Sequence, residues 1–311
     1  MKTPSLSIIV VSFKTRDLLR TCLNSILSQI DRDNVEVIVV DNASRDGSAL
    51  MVEREFSSVT LLKNTANQGF GFACNQGWKH SKGEFVLFSN GDIGFPADLV
   101  SAMQRSIESD PKIGILSPEL VGTDGSLYQM TWGWNISLFG EMRQKLFSPR
   151  YVSKFKLINW AVSFLQQRET DVPIVAGACM ITRRGMLDRI NGFDEDFELY
   201  FEDADLCIRC WEAGYSVRFM PHLKVFHGLG QSGQTIALKI ALVYRQSQIT
   251  YYRKHHHTFQ LVLLKIYLWI KFLFSKKMWV DADFRYWMTQ ILFERCKVHL
   301  DKDLTLNNTP L

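Results

Sequence analysis

Three short clusters hold the side chains best suited to chemistry: Val39-Val40-Asp41-Asn42-Ala43-Ser44, Asn90-Gly91-Asp92 and Phe201-Glu202-Asp203-Ala204-Asp205. In the third, Glu202, Asp203 and Asp205 crowd within four residues, directly after the apolar and aromatic run at 197–201. Close carboxylates repel one another, so one of them is a candidate for the raised pKa that a general base requires. The same acids suit the first turn of a helix, where they meet the positive end of the dipole. The two readings are compatible. Asp92 sits in an Asn-Gly-Asp turn after an apolar run. It reads as a turn residue or as a hard oxygen ligand for Mg²⁺ or Mn²⁺, ions that bind one or two carboxylates together with substrate phosphates. Cys207 and Cys210 form a lone CxxC, which helical spacing turns to one face as a packed thiol pair. His255-His256-His257 reads as a basic interfacial patch, because adjacent helical residues point in different directions. Trp132, Trp134 and Trp160 could stack on sugar rings or pack in a core.

The elements that must position these clusters alternate strand and helix. Residues 6–13 are rich in Ile and Val and read as a buried strand. Residues 15–29 place Leu18, Leu19, Cys22, Leu23, Ile26 and Leu27 at helical spacing. A second strand covers 35–40, a turn and helix start 44–48, a third strand 59–63, a helix 71–80 and a fourth strand 84–89. Such a series predicts a parallel sheet with right-handed crossovers. Ligands of these sheets bind beyond the carboxyl ends of the strands. Ser12, Asp41-Asn42 and Asn90-Gly91-Asp92 fall at those ends, which points to a nucleotide or phosphate site. Residues 122–171 are less regular, and 172–182 return to a strand-like run.

The 311 residues are 46% hydrophobic and 22% charged, an ordinary globular composition. The charge is uneven. Residues 206–300 hold 14 Lys and Arg against 4 Asp and Glu, whereas residues 1–205 hold 21 against 26. A basic last third suggests an anionic partner surface, membrane or nucleic acid. Only four consecutive apolar residues, 8–11, lie near the start, too few for a signal-peptide core, so a cytoplasmic protein is expected. Residues 258–274 are apolar apart from Gln260, Lys265 and Lys271, and basic residues flank them. The stretch is short for a bilayer span. It suits a helix lying at a membrane interface, or one buried between copies of the chain.

Taken together, the clusters resemble family-2 glycosyltransferases of the GT-A fold, especially the bacterial branch that includes rhamnosyltransferases of cell-surface polysaccharide synthesis. The matching motifs lie at 6–13, 39–48, 67–75, 90–92, 192–197, 200–209, 214–215 and 227, in order and with family spacing. The resemblance implies an α/β, Rossmann-like, mostly parallel sheet with helices on both faces. It further implies a catalytic domain over 1–235 and a C-terminal helical extension over 236–311. The implied activity is inverting transfer of a sugar, with rhamnose from dTDP-rhamnose favoured and UDP sugars next, to a hydroxyl of a glycan or lipid-linked glycan. Asp203 would be the catalytic base and Glu202 its partner. Ser12, Phe13, Asp41, Asn67, Gly69, Asn90, Gly91 and Asp92 would bind the donor. Asp92 and His227 would hold a divalent ion, Mg²⁺ or Mn²⁺. Asn90 departs from the family's DxD pattern by replacing its first acid. The three tryptophans are the candidate acceptor contacts. No nucleic-acid partner is implied; a membrane surface or a second copy of the chain is, with the protein peripheral at the inner face of the plasma membrane. A catalytically silent nucleotide-sugar module would lack Asp92 and Asp203. A nucleotidyltransferase would carry a Gly-rich basic loop where residues 12–15 read Ser-Phe-Lys-Thr.

Overall fold

The computed structural model describes residues 4–122, 131–133, 136–137, 168–228, 237–274 and 282–293. The first half runs β1 (Leu6–Ser12), α1 (Arg16–Leu27), β2 (Val35–Asp41), α2 (Ser48–Glu55), β3 (Thr60–Lys63), α3 (Phe70–His80), β4 (Phe85–Asn90), β5 (Ile93–Gly94), α4 (Leu99–Ser109) and β6 (Ile113–Gly122). The second holds β7 (Trp132–Gly133), β8 (Thr170–Asp171), β9 (Ile174–Val175), β10 (Cys179–Arg183), α5 (Arg184–Ile190), α6 (Glu202–Glu212), β11 (Ser216–His227), α7 (Ala237–His255), α8 (Thr258–Leu273) and α9 (Ala282–Leu292).

The main sheet has the order β3-β2-β1-β4-β10-β6-β11-β5, with β8 against β11. Strands β3, β2, β1 and β4 are all parallel, as the strand–helix alternation predicts. Beyond β4 the sheet is mixed: β10 runs antiparallel to both β4 and β6, and β11 parallel to β6. Alternation along each strand divides the core. Leu6, Ile8 and Val10 of β1 pack with Leu19, Leu23 and Ile26 of α1 and with α2 and α4. Ile9 and Val11 point to the opposite face, among Ala73 and Trp78 of α3, Leu206 of α6 and the C-terminal helices. Helices therefore cover both faces.

The strand-like run at 172–182 is two strands, β9 and β10, broken at Ala176-Gly177-Ala178. The break leaves the Gly177 amide unused by the sheet and able to bind a side chain. Residues 258–273 form the helix that their composition suggests.

Candidate active site

Register places the first polar cluster in one line. Ser12 lies opposite Asp41, and Val11 opposite Asn90, so three adjacent parallel strands end together. Ser12 and Asp41 are both buried. Asp41 Oδ2 accepts the Ser44 amide at 3.1 Å, while Oδ1 has no hydrogen-bond partner. Burial raises the Asp41 pKa, opposed by its bonds from Ser44. A buried carboxylate oxygen with nothing to accept is costly unless a ligand donor meets it. Phe13, half-buried, borders this strand end, with Lys14 Nζ 5.0 Å from its ring centre.

Asn42 holds the next loop. Its amide nitrogen donates to Asn67 Oδ1 at 2.8 Å and to the Gly69 carbonyl at 3.0 Å. Its oxygen accepts the Gln68 amide and the Asn64 side chain, each at 3.1 Å. Gly69 has φ +89°, and a Cβ there would stand 2.0 Å from the Glu198 carbonyl oxygen. Only glycine lets this loop approach the segment leading into α6. Farther along α3, Asn75 donates to the Phe193 carbonyl and Glu195, and accepts the Phe193 amide. The motif at 67–75 thus fastens to the motif at 192–197.

At the end of β4, the Gly91 amide donates to the Val11 carbonyl and the Asn90 amide to the Ala178 carbonyl. Strand β5 pairs with the last residues of β11, with His227 opposite Ile93. This pairing brings His227 Nε2 to 3.4 Å from Asp92 Oδ1, both side chains being about 90% buried. Among the described residues no group of three or more His, Cys, Asp or Glu forms a cation cage. Two protein donors, one a hard carboxylate oxygen, nonetheless fit Mg²⁺ or Mn²⁺, which take most of their remaining ligands from phosphates and water.

The acids open α6. Tyr200 and Phe201 precede it at φ +66° and +68°, unfavourable for non-glycine residues. Asp203 Oδ2 accepts the Gly177 amide at 3.0 Å and Oδ1 the Ala204 amide at 2.8 Å. Through Gly177-Ala178 the carboxylate is joined to the Asn90 strand end. Glu202 is buried beside it, with Oε2 lacking a hydrogen-bond partner. Burial, reinforced by the charge of Asp203, pushes the Glu202 pKa up to about 8. Burial also raises Asp203, against the lowering pull of the Gly177 and Ala204 amides. Asp205 behaves oppositely. Burial alone would raise it, but the hydrogen bond from His255 and the charge of Arg209 hold it below the usual carboxylate range.

Arg209 reaches Asp205 Oδ2 at 2.5 Å, the expected i, i+4 pair, and also donates to the Ile190 and Gly192 carbonyls. His255, at the end of α7, places Nε2 2.7 Å from Asp205 Oδ1. His256 Nε2 lies 2.6 Å from the Ile136 carbonyl. The expected basic patch is therefore corrected: two of its three histidines are tied inward, because α7 ends against the carboxylate of α6.

Trp132 is half-buried, its ring 6.5 Å from that of Phe219. Its strand pairs with β9, just before Gly177. Trp134 and Trp160 lie outside the described residues. Cys207 and Cys210 are buried free thiols on one face of α6, as the spacing predicts. Gly177 and His255 escape motif reading. The only signal for Gly177 was the glycine inside a strand-like run.

Residues 7–190 match the profile of Glycosyl transferase family 2, and residues 132–292 that of Glycosyl transferase family group 2. An N-acetylglucosaminyl-diphospho-decaprenol L-rhamnosyltransferase of Mycobacterium tuberculosis is 27% identical over 271 residues, covering 81% of this chain and 86% of the relative. The O-antigen biosynthesis protein RfbC of Myxococcus xanthus is 28% identical over 72% of this chain and 17% of its own length. Among solved structures, a mannosyltransferase of Pyrobaculum calidifontis in complex with GDP-Man and Mn²⁺ superposes with a TM-score of 0.54 at 18% identity, covering 94% of this chain and 86% of that one. TarS 1–349 of S. aureus superposes with a TM-score of 0.55 at 16% identity, over 94% and 82%.

Proposed function

The chain belongs to glycosyl transferase family 2 and has the GT-A fold, and from that premise we propose an inverting transfer in which Asp203 is the catalytic base. The carrying observation is the pinning of Asp203 by the Gly177 and Ala204 amides at the strand end where Asp92 lies. Each Asp203 oxygen accepts one amide and keeps a lone pair for a substrate proton. Burial pushes the pKa of its neighbour Glu202 up to about 8, whereas the Gly177 and Ala204 amides favour the charged form of Asp203 against its own burial. The acceptor hydroxyl loses its proton to Asp203 as its oxygen bonds to the anomeric carbon. The bond from that carbon to the diphosphate oxygen breaks on the opposite face. No glycosyl-enzyme intermediate is required. Mg²⁺ or Mn²⁺, held by Asp92 and His227 with the donor's phosphates, would neutralise charge on the leaving group.

Ser12, Phe13, Asp41, Asn67, Gly69, Asn90 and Gly91 form the donor pocket in this reading. The unmatched Oδ1 of buried Asp41 suits the ring N–H of a pyrimidine base, which favours dTDP or UDP donors. The naming of the mycobacterial relative supports rhamnose and a lipid-linked acceptor. Trp132, with Trp134 and Trp160, is the proposed acceptor contact. A lipid-linked acceptor would set the reaction at the inner face of the plasma membrane, in cell-envelope polysaccharide synthesis.

Asp203→Asn tests the assignment. Nucleoside diphosphate release in the presence of acceptor should fall about 10²–10⁴-fold, with donor affinity by calorimetry unchanged. Near-normal turnover would remove Asp203 from the role.

A further inference from the structure

Helix α8 turns an apolar face outward. Leu264, Leu268 and Phe272 are buried against α7 and α9, and they define the inner side. Phe259, Val262, Leu263, Ile266, Trp269 and Ile270 recur at spacings of three and four on the opposite side. Phe259 is 70% exposed, Ile266 51% and Trp269 50%, so this is a continuous stripe and not scattered surface residues. At about 100° per residue, Lys265 and Lys271 fall on its two edges, between the outward and inward faces. No described helix is long and apolar enough to cross a membrane. With 16 residues, α8 measures about 24 Å against about 30 Å of hydrocarbon.

We propose that this face is a docking surface for an anionic lipid bilayer, with α8 lying in the plane of the headgroups. Charge selects the occupant. Residues 258–280, α8 and the chain that follows it, contain Lys265, Lys271, Lys276 and Lys277 and no Asp or Glu. Two copies meeting through α8 would oppose lysine to lysine, with no acid on this segment to pair them. A surface of anionic headgroups meets the same lysines favourably while the stripe enters the acyl boundary. Continuity with the acid helix adds a purpose, which rests on the reading of a lipid-linked acceptor. His255 bonds Asp205 on the helix that carries Asp203, and Phe259 follows four residues later. The exposed end of α8 therefore lies within about 15 Å of chain from the clamp on that helix. A bilayer under α8 would place a lipid-borne hydroxyl beside the acid pair.

The test uses the full chain with phosphatidylcholine vesicles, with and without phosphatidylglycerol, and no donor or acceptor. Wild type should sediment with the anionic vesicles, and salt should release it. Ile266→Glu with Trp269→Glu should lower the partition constant at least about tenfold. Both side chains are exposed, so turnover of a water-soluble acceptor should not change. Lys265→Gln with Lys271→Gln should weaken binding to anionic vesicles alone. Absence of wild-type binding, or unaltered binding of the Glu variant, overturns the proposal. So does a lipid-independent dimer that the Glu variant splits, which gives the face to a second copy. Failure of Asp203→Asn to lose turnover would refute the base without touching vesicle binding, so the two readings fail separately.

Discussion

Two adjacent carboxyls, Glu202 and Asp203, stand at the centre of the proposed site. Glu202 is pushed up to about 8, from an ordinary value of 4.5, chiefly by burial. The folded protein therefore holds a proton that the unfolded chain releases at lower pH. The stabilisation from this group is fully present below about pH 4.5 and fades as pH rises through about 8, because the native state binds more protons across that window. Glu202→Gln removes the titration but keeps the shape. Its urea midpoint should lose less between pH 5 and pH 9 than that of wild type, measured by fluorescence at fixed ionic strength. Parallel pH profiles for the two proteins would show that Glu202 ionises as an ordinary surface acid does. The sequence disclosed the crowding of these acids, and hence a raised pKa. It did not disclose which acid, because that depends on the Gly177 amide, which meets Asp203 from 26 residues away in the chain. Asp41 was legible for the opposite reason: a strand end on a βαβ unit is a local pattern.

At the scale of elements, α7 acts as a strap over the segment that leads into α6. Lys254 pairs with Asp194 at 2.5 Å and Asp196 at 2.8 Å, Ser247 donates to the Leu199 carbonyl at 2.8 Å, and His255 meets Asp205. The rings of Tyr244 and Tyr251 pack on Phe201, one of the two residues of left-handed backbone that lead into α6. Such backbone costs about 1–3 kcal/mol per residue and persists only where packing enforces it. If Asp203 is the base proposed above, His255 would position it through Asp205 and the first turn of α6. His255→Ala should lower kcat about tenfold or more with donor affinity unchanged, since a misplacement of about 1 Å can cost as much as 10²-fold. His255→Gln, which can still donate to Asp205, should recover part of the loss. Equal losses in kcat and donor affinity, with no recovery by Gln, would mean general destabilisation instead. Helix periodicity foretold α7 and α8 poorly as partners of the site. Only α8 read as an apolar stretch, and nothing in a helix pattern names the surface it will meet. The first four strands and three helices were legible because each follows from spacing within a dozen residues. The antiparallel insertion of β10 between β4 and β6 was not, because it joins segments about 90 residues apart.

For the molecule as a whole, the question is whether residues 236–311 are an appendage or part of the catalytic body. Motif density falls after residue 233, which sets the expected boundary near 235. Packing runs straight across it. One apolar cluster joins Ile9, Ile38 and Phe88 of the sheet, Phe197, Phe201 and Leu206 around the acids, Leu242, Tyr251 and Tyr252 of α7, and Leu268 and Trp287 beyond. Leu242, Val243, Ile249, Tyr251 and Tyr252 are each at most 2% exposed. Burying a large apolar side chain is worth about 1.5–3 kcal/mol. Five such side chains contribute as much as the whole net stability of a typical domain, about 5–15 kcal/mol. Deleting 236–311 would also bare Phe197 and Phe201 and leave Asp205 with Arg209 but without His255. Loss of a partner from a buried charge network is itself strongly destabilising. We therefore expect the chain ended at residue 235 to be insoluble or to lack a cooperative thermal transition, and to release no nucleoside diphosphate in the presence of acceptor. The chain carrying Ile266→Glu and Trp269→Glu should melt like wild type, because its changes lie on the outer side of α8. Differential scanning calorimetry of the three proteins separates the possibilities. A folded, active fragment 1–235 would make the extension dispensable to catalysis, and α7 a bystander to the acids it touches.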